Sequence, residues 1–229
     1  GAPKARDFRA GAAEIFGTRL DDVQRARDLF ATIVADDPGH ARATDGLARI
    51  AEKTGDFQTL VQILERRAEA RRGVEKAEAL ARVAEVYEDH LNDLSEATRR
   101  YESVFAIDPS NLNALKGLDR IFNRTGKYRE LLDVLHRQIQ VAATPRQKIN
   151  LYERIAALHD EEFLDHQAAI DALEHILDID GSHDGALGSI ARHFRALERW
   201  EAAAEIYDRH AAATADVTRR IDILLQRAR

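Results

Sequence analysis

The sequence contains no cysteine and no methionine, and it has only four prolines among its 229 residues. The absence of cysteine excludes disulfides and thiol chemistry, but a cysteine-free chain suits the cytoplasm and the periplasm alike. No apolar run approaches the roughly 20 residues that a membrane-spanning helix requires. The sequence therefore leaves the compartment open, with the cytoplasm favoured and the periplasm as the alternative.

Motifs that would carry catalysis are also missing. There is no His-Glu-x-x-His motif, no Gly-rich phosphate loop and no Gly-x-Ser-x-Gly motif. A di-iron helical bundle would need Glu-x-x-His pairs on inward faces, and none of the nine histidines has a Glu three residues before it. We therefore expect no enzyme activity, no cofactor and no metal site, and we predict that His136, His175 and His210 lie on helix surfaces.

The charge balance bears on the partner. The formal net charge is -6 and the isoelectric point is about 5.9. A protein that binds nucleic acid usually presents a net basic face, so nucleic acid is not expected as the main partner. Apolar residues make up 45% and charged residues 32% of the chain, which is typical of an ordered protein.

Composition and the first residues bear on the origin of the chain. Arg greatly outnumbers Lys, and Ala and Asp are abundant, which indicates a GC-rich bacterial genome. The chain begins Gly1-Ala2-Pro3 without Met, and its last residues align with the start of an earlier helix. We therefore expect a piece of a longer protein.

An internal repeat of about 71 residues dominates the sequence. Asp37-Pro38 recurs 71 residues later as Asp108-Pro109. Asp180-Gly181 follows after a further 72 residues as a looser third copy. The same spacings separate four further sets: Ala26, Ala97 and Ala169; Ala43, Ala114 and Ala186; Leu47, Leu118 and Ile190; and the aromatic Phe57, Tyr128 and Trp200.

Apolar residues within each period recur at helical spacing. Asp108-Pro109 ends one helix, because the residue before a proline is pushed out of the helical region. Either Ser110 or Asn111 then caps the next helix. The pattern predicts thirteen helices of about 11–16 residues joined by short turns, and it predicts no strand.

These residues resemble a tetratricopeptide repeat or a TPR-like relative. Ala97, Tyr101 and Pro109 are similar to the small residue, aromatic and proline of the family's second helix. The first-helix and turn pattern is similar at Leu115, Leu118, Phe122, Gly126 and Tyr128. The family's first-helix glycine is replaced by Ala48, Asp119 and Ala191.

The resemblance implies an all-α fold, a right-handed α-solenoid of about six antiparallel helical hairpins plus a C-terminal helix. It predicts one solenoid domain over residues 1–229. The predicted hairpins cover 4–38, 39–73, 74–109, 110–144, 145–181 and 182–216, and the final helix covers 217–229.

Charge on the first helix of each hairpin is the main functional signal, because the resemblance places that helix on the inner, concave face. Three of these helices carry the candidate peptide-binding residues, which are Asn113, Lys116, Arg120, Asn123, Arg124, Arg42, Arg49 and Arg192. Two intervening first helices are acidic, with Glu78, Glu85, Glu88 and Asp89 in one and Glu153, Asp160 and Glu161 in the other. Two interpretations stay open: the charges pair between neighbouring repeats, or the basic residues hold an acidic peptide through charge-assisted hydrogen bonds.

The resemblance implies a protein–protein interaction scaffold or adaptor that holds a peptide or helix of a partner in its concave groove. The alternative is a structural repeat module that self-associates through its open repeat ends and has no groove ligand. Ile221, Leu224 and Leu225 form an apolar stripe near the C-terminus, and we expect it to pack on a second copy. The sequence does not name the partner, the pathway or the oligomeric state.

Overall fold

Thirteen α-helices make up the computed structural model of the chain, which describes residues 2–228, with side chains from Lys4 to Ala228. In order they are α1 (Ala2–Thr18), α2 (Val23–Asp36), α3 (Ala41–Thr54), α4 (Phe57–Glu69), α5 (Gly73–Asp89), α6 (Leu94–Phe105), α7 (Leu112–Thr125), α8 (Tyr128–Val141), α9 (Pro145–Glu161), α10 (His166–Ile179), α11 (Asp184–Ala196), α12 (Trp200–Ala213) and α13 (Val217–Arg227). Residues 2–228 contain no strand, so the all-α prediction and the predicted number of helices are confirmed. Gly1 and Arg229, which the domain prediction includes, lie outside the described residues.

The chain divides into two compact units, residues 1–117 and 118–229, and the division falls inside α7. In the first unit, each helix from α1 to α5 packs on the next helix along the chain. In the second unit, each helix from α8 to α12 does the same. Packing between sequence neighbours is the pattern of a helical repeat protein. The single domain and the hairpin boundaries stay predictions.

The backbone repeats with the same period as the sequence. The turns after α1, α5 and α9 each contain one left-handed residue, at Asp21, Asn92 and Leu164, with φ of 51°, 50° and 52°. The turns after α3, α7 and α11 also contain one, at Gly55, Gly126 and Glu198, with φ of 73°, 67° and 57°. Each period therefore contains two hairpin turns of different construction. The first joins its helices through four residues, and the second through two residues after α3 and α7 and through three after α11.

Helix caps follow the same period. Side-chain oxygens of Asp22, Asp93 and Asp165 accept backbone N–H bonds at the starts of α2, α6 and α10. At the starts of α3 and α11, the cap is a histidine: Nδ1 of His40 accepts from Ala43 at 3.2 Å, and Nδ1 of His183 accepts from Ala186 at 3.2 Å. The corresponding cap of α7 is Asn111, one of the two residues that the sequence offered.

Two glycines of the first unit allow close contact with an aromatic ring of the preceding hairpin. A Cβ added at Gly46 would lie 2.3 Å from Cζ of Phe30, and one added at Gly117 would lie 2.2 Å from Cζ of Tyr101. Phe30 and Tyr101 are both buried, so neither ring has free space into which to withdraw. These helix–helix contacts require glycine because any larger residue would overlap the ring.

Two side chains are not where the sequence analysis placed them. Glu88, predicted on the acidic inner face, is buried and accepts a hydrogen bond from the Tyr101 hydroxyl at 3.0 Å. His210, predicted on a helix surface, is 6% exposed and its Nε2 lies 2.8 Å from Oδ1 of Asp184. Both predictions were wrong because of helix periodicity. Glu88 lies four residues after the buried Ala84, and His210 lies three residues after the buried Tyr207, so each shares a helix face with a buried residue.

Candidate functional site

All eight predicted peptide-binding residues are exposed on the helices where the sequence placed them. Arg42 and Arg49 lie on α3, and Arg192 lies on α11. The other five lie along α7, with Asn113 and Lys116 in the first unit and Arg120, Asn123 and Arg124 in the second. Whether the eight residues line an inner face and bind a peptide stays a prediction.

The first unit contains a cleft that joins Arg42 and Arg49 to two further arginines, Arg67 of α4 and Arg82 of α5. We call it the arginine cleft; it has a volume of about 550 Å³. Three carboxylates also line it, those of Glu14, Asp45 and Glu52. The remaining lining residues are apolar, namely Ala48, Leu60 and Leu64. Four cations therefore face three anions over an apolar floor.

Ion pairs hold the arginine cleft in its present form. Arg42 makes two hydrogen bonds to Glu14, at 2.9 and 2.5 Å, and these bonds lower the pKa of the Glu14 carboxyl. Arg82 pairs with Glu52 at 2.9 Å, and Arg67 pairs with Asp45. Arg49 lies 3.9 Å from Glu14 and is the least engaged of the four.

Two of these pairs join neighbouring first helices: Arg42–Glu14 joins α3 to α1, and Arg82–Glu52 joins α5 to α3. The second unit has further examples, because Arg154 of α9 pairs with Asp119 of α7 and Arg219 of α13 pairs with Asp184 of α11. The structure thus contains pairing of the kind that one sequence interpretation expected. Such exposed pairs contribute only about 0–1 kcal/mol each, so a charged partner can compete with them.

Arg67 and Arg82 were not among the predicted site residues. Arg67 belongs to a second helix, a class that the resemblance placed away from the inner face, and Arg82 belongs to a first helix predicted to be acidic. Both reach the cleft because their long side chains extend past the helix that carries them. A search for Arg residues beside each acidic position of the neighbouring helix would have found them.

Asp119 occupies the position where the resemblance expects a small glycine, and it is well satisfied. Its carboxylate accepts two hydrogen bonds from Arg154, at 2.7 and 2.6 Å, and one from Gln138 at 2.9 Å. Burial alone would raise the pKa of this carboxyl, but the bonds from Arg154 and Gln138 outweigh burial and the pKa is lowered. The residue therefore links α7, α8 and α9 by charge-assisted hydrogen bonds.

The second unit has a smaller cleft of about 260 Å³ between α9 and α11, which we call the acidic cleft. Its charged lining consists of Glu153, Asp160, Glu161, Arg192 and His193. Arg192 donates to Ser189 at 3.4 Å. Because carboxylates outnumber cations here, this cleft has the opposite charge character to the arginine cleft.

A tetratricopeptide-repeat family model matches the chain three times, at residues 43–78, 114–149 and 186–221. These three segments are tetratricopeptide repeats by that match. The matched segments start at Ala43, Ala114 and Ala186, which are equivalent positions of the 71-residue period. Tetratricopeptide repeats generally mediate protein–protein interaction and act as non-catalytic scaffolds. In the part of the chain that the structure describes, no helix combines the length and the apolarity needed to cross a membrane.

Several solved structures are similar to the TPR chain at low identity. The crystal structure of MamA is 17% identical, covers 73% of this chain and 94% of its own, and has a TM-score of 0.44. A tetratricopeptide repeat protein from Parabacteroides merdae is 15% identical, with coverages of 100% and 86% and a TM-score of 0.46. YrrB, described as a TPR protein with an unusual peptide-binding site, is 15% identical, with coverages of 84% and 96% and a TM-score of 0.45. No curated protein matches the sequence.

Proposed function

We propose that the chain is a protein-interaction scaffold whose arginine cleft binds an acidic peptide segment of a partner. The cleft itself carries this proposal: four arginines converge beside an apolar floor, and one of them, Arg49, lies 3.9 Å from its carboxylate neighbour Glu14. Arginine suits this role because its planar guanidinium forms paired hydrogen bonds with a carboxylate. A partner with alternating acidic and apolar side chains fits the combination.

Competition for the arginines does not prevent binding. Several charged side chains of the cleft are about half open to water; those of Arg82 and Glu52, for example, are 50% and 52% exposed. Pairs of this kind are weak, and a folded cleft loses little conformational entropy when a peptide enters it. The most available cation is Arg49, since its nearest carboxylate oxygen is 3.9 Å away.

The exposed face of α7 in the second unit is a second proposed contact surface for the same class of partner. Arg120 and Arg124 are four residues apart on this helix, so they share one face. Asn123 adds an amide group beside them, whereas Asn113 and Lys116, in the first unit, are separate predicted contacts. Arg192 on α11 is the remaining predicted contact.

The experiment measures the anisotropy of a labelled acidic peptide titrated with the chain. Arg42→Glu together with Arg49→Glu should weaken binding at least about tenfold, which corresponds to about 1.4 kcal/mol. Arg71→Glu, at an exposed position between α4 and α5, is the matched control and should bind like the wild type. Added salt should also weaken wild-type binding, because the contacts are exposed charges.

A second variant, Arg120→Glu with Arg124→Glu, tests the α7 surface separately. Loss of binding in this variant alone would move the site from the cleft to α7. Unchanged binding in both variants would exclude the proposal of an acidic peptide.

Self-association is the second candidate function, and one observation favours it. Helix α13 exposes four apolar side chains by about one half, namely Val217, Ile221, Leu224 and Leu225. Helix α1 likewise exposes Phe8 and Ile15. Exposed apolar patches of this kind mark surfaces that associate with other proteins or with further copies of the same chain.

A further inference from the structure

Three side chains of the second unit converge on one point beside the acidic cleft. They are Asp160 near the end of α9, His166 at the start of α10 and His193 on α11. Nδ1 of His166 lies 3.2 Å from Oδ1 of Asp160 and 3.3 Å from Nδ1 of His193. Nδ1 of His193 lies 3.6 Å from the same carboxylate oxygen.

Hydrogen bonding alone satisfies this triangle poorly. A single N–H of one imidazole cannot point at both other atoms, and the 3.6 Å between Nδ1 of His193 and Oδ1 of Asp160 is too long for a good hydrogen bond. The two imidazole nitrogens face each other, so at least one of them must offer a lone pair for any attractive contact. His193 is only 3% exposed, so bulk water does not reach most of its ring.

The three separations fit a tetrahedral metal site. With ligand distances of about 2.0–2.2 Å, two ligands of a tetrahedral Zn²⁺ lie roughly 3.3–3.5 Å apart. The three edges measured here are 3.2, 3.3 and 3.6 Å. Two imidazoles and one carboxylate are also a ligand set that zinc commonly takes, with a water in the fourth position.

We propose that Asp160, His166 and His193 form a binding site for a divalent zinc ion. The nearby Glu153 and Glu161 of the acidic cleft favour the approach of a cation, while Arg192 in the same cleft opposes it. The side chains of Asp160 and His166 are each 32% exposed, which gives the ion a path to the site.

Bound zinc joins three successive helices. Asp160, His166 and His193 belong to α9, α10 and α11, so one ion fixes the α9–α10 hairpin against the helix that follows it. Because the complete ligand set exists only in the folded chain, zinc binding raises the temperature of unfolding. This site is independent of the proposed peptide cleft, which lies in the other unit.

The test uses the tag-free full chain, stripped with a chelator and titrated with zinc chloride by calorimetry. We expect one ion per chain and an unfolding temperature that rises with zinc and falls again with EDTA. His166→Ala and Asp160→Asn should each lower zinc affinity by at least about tenfold to a hundredfold. Both residues are partly exposed, so these variants keep the fold, whereas His193→Ala would remove a buried ring.

The control variant is His136→Ala, at an exposed position on α8 in the same unit. It should bind zinc like the wild type. Cobalt supplies a second measurement, because Co²⁺ in a tetrahedral site gives strong visible absorption that should disappear in His166→Ala. Absence of stoichiometric zinc binding, or an equal loss in His136→Ala and His166→Ala, would overturn the proposal.

Discussion

At the scale of single residues, the chain depends most on the places where an aromatic ring touches a helix backbone. The Phe30–Gly46 and Tyr101–Gly117 contacts are separated by 71 residues and use the same geometry. In the third period, the corresponding positions hold Leu173 and Ser189. Leu173 is smaller than the aromatic residues at the equivalent positions, and Ser189 has a Cβ where the other two periods have glycine. The size of the first side chain and the need for glycine at the second position therefore change together.

Gly117→Ala should destabilise the first unit. The new Cβ would fall 2.2 Å from a ring atom of fully buried Tyr101, and overpacking of this kind costs about 1–3 kcal/mol. The better helix propensity of alanine offsets up to about 1 kcal/mol of that cost. Urea unfolding followed by circular dichroism measures the change.

The control for this prediction is Gly39→Ala. A Cβ at Gly39 would meet only the Asp37 carboxylate, at 3.5 Å, which is an ordinary contact. Its effect should stay within about 0.5 kcal/mol. Equal stability of Gly117→Ala and the wild type would show that the ring can move aside.

At the scale of helices, ion pairs connect one first helix to the next. Arg42 reaches from α3 to α1, Arg82 from α5 to α3, and Arg154 from α9 to α7. The pair between Arg154 and Asp119 is the most enclosed, with Asp119 only 15% exposed. Its carboxylate replaces a small residue, and it is accommodated because Arg154 and Gln138 satisfy it.

Asp119→Asn should reduce the free energy of unfolding at neutral pH by about 1 kcal/mol. We expect no larger effect because Arg154 is 44% exposed, and water weakens an ion pair with an exposed partner. The pKa of Asp119 is lowered from its ordinary value of 3.8. A lowered pKa contributes stability above the unfolded-state pKa, and this contribution is lost as the pH falls through the folded-state pKa. The difference between wild type and variant should therefore be full at pH 7 and should shrink below about pH 4.

Unfolding curves at several pH values test this prediction. Lys53→Gln serves as the control, since Lys53 and its partner Asp21 are 64% and 85% exposed and the pair should contribute almost nothing. A difference for Asp119→Asn that is the same at pH 3 and pH 7 would contradict the assigned cause.

The helices were readable from the sequence because a 3.6-residue period survives in any amphipathic segment. The sites were only partly readable. Arg42 and Arg49 lie on a first helix and are among the predicted residues, whereas Arg67 lines the same proposed cleft from α4 and is not. His166 and His193 are 27 residues apart in sequence and meet only through the packing of α10 and α11. No short motif records such a contact, so the search for local histidine patterns passed over it.

At the scale of the whole molecule, the chain presents polar clefts along its units and apolar side chains on its last helix. Ile223 is the buried residue of α13, and Ile221, Leu224 and Leu225 face outward. Self-association through this face differs from peptide binding in one measurable respect. The average mass of the particles in a solution of the chain alone must increase as the concentration rises.

Light scattering over a concentration series should therefore show a mass above that of the 25.7 kDa chain at high concentration. Ile221→Lys with Leu225→Lys should return the mass to that of one chain, because both residues are about half exposed and carry the apolar contact. Leu112→Lys makes a similar change at a 51% exposed position on α7 and should leave the mass unchanged. A mass of one chain at every concentration would exclude self-association.

The two unlike turns of each period define which pieces of this protein are interchangeable. A hairpin closed by Asn92 has a four-residue connection and an aspartate cap, whereas one closed by Gly126 has a two-residue connection. Deleting a single hairpin would therefore join ends that never meet in the natural chain. Deleting or inserting 71 or 72 residues would preserve every junction. The module that can be exchanged is accordingly a block of four helices, about twice the length of one tetratricopeptide repeat.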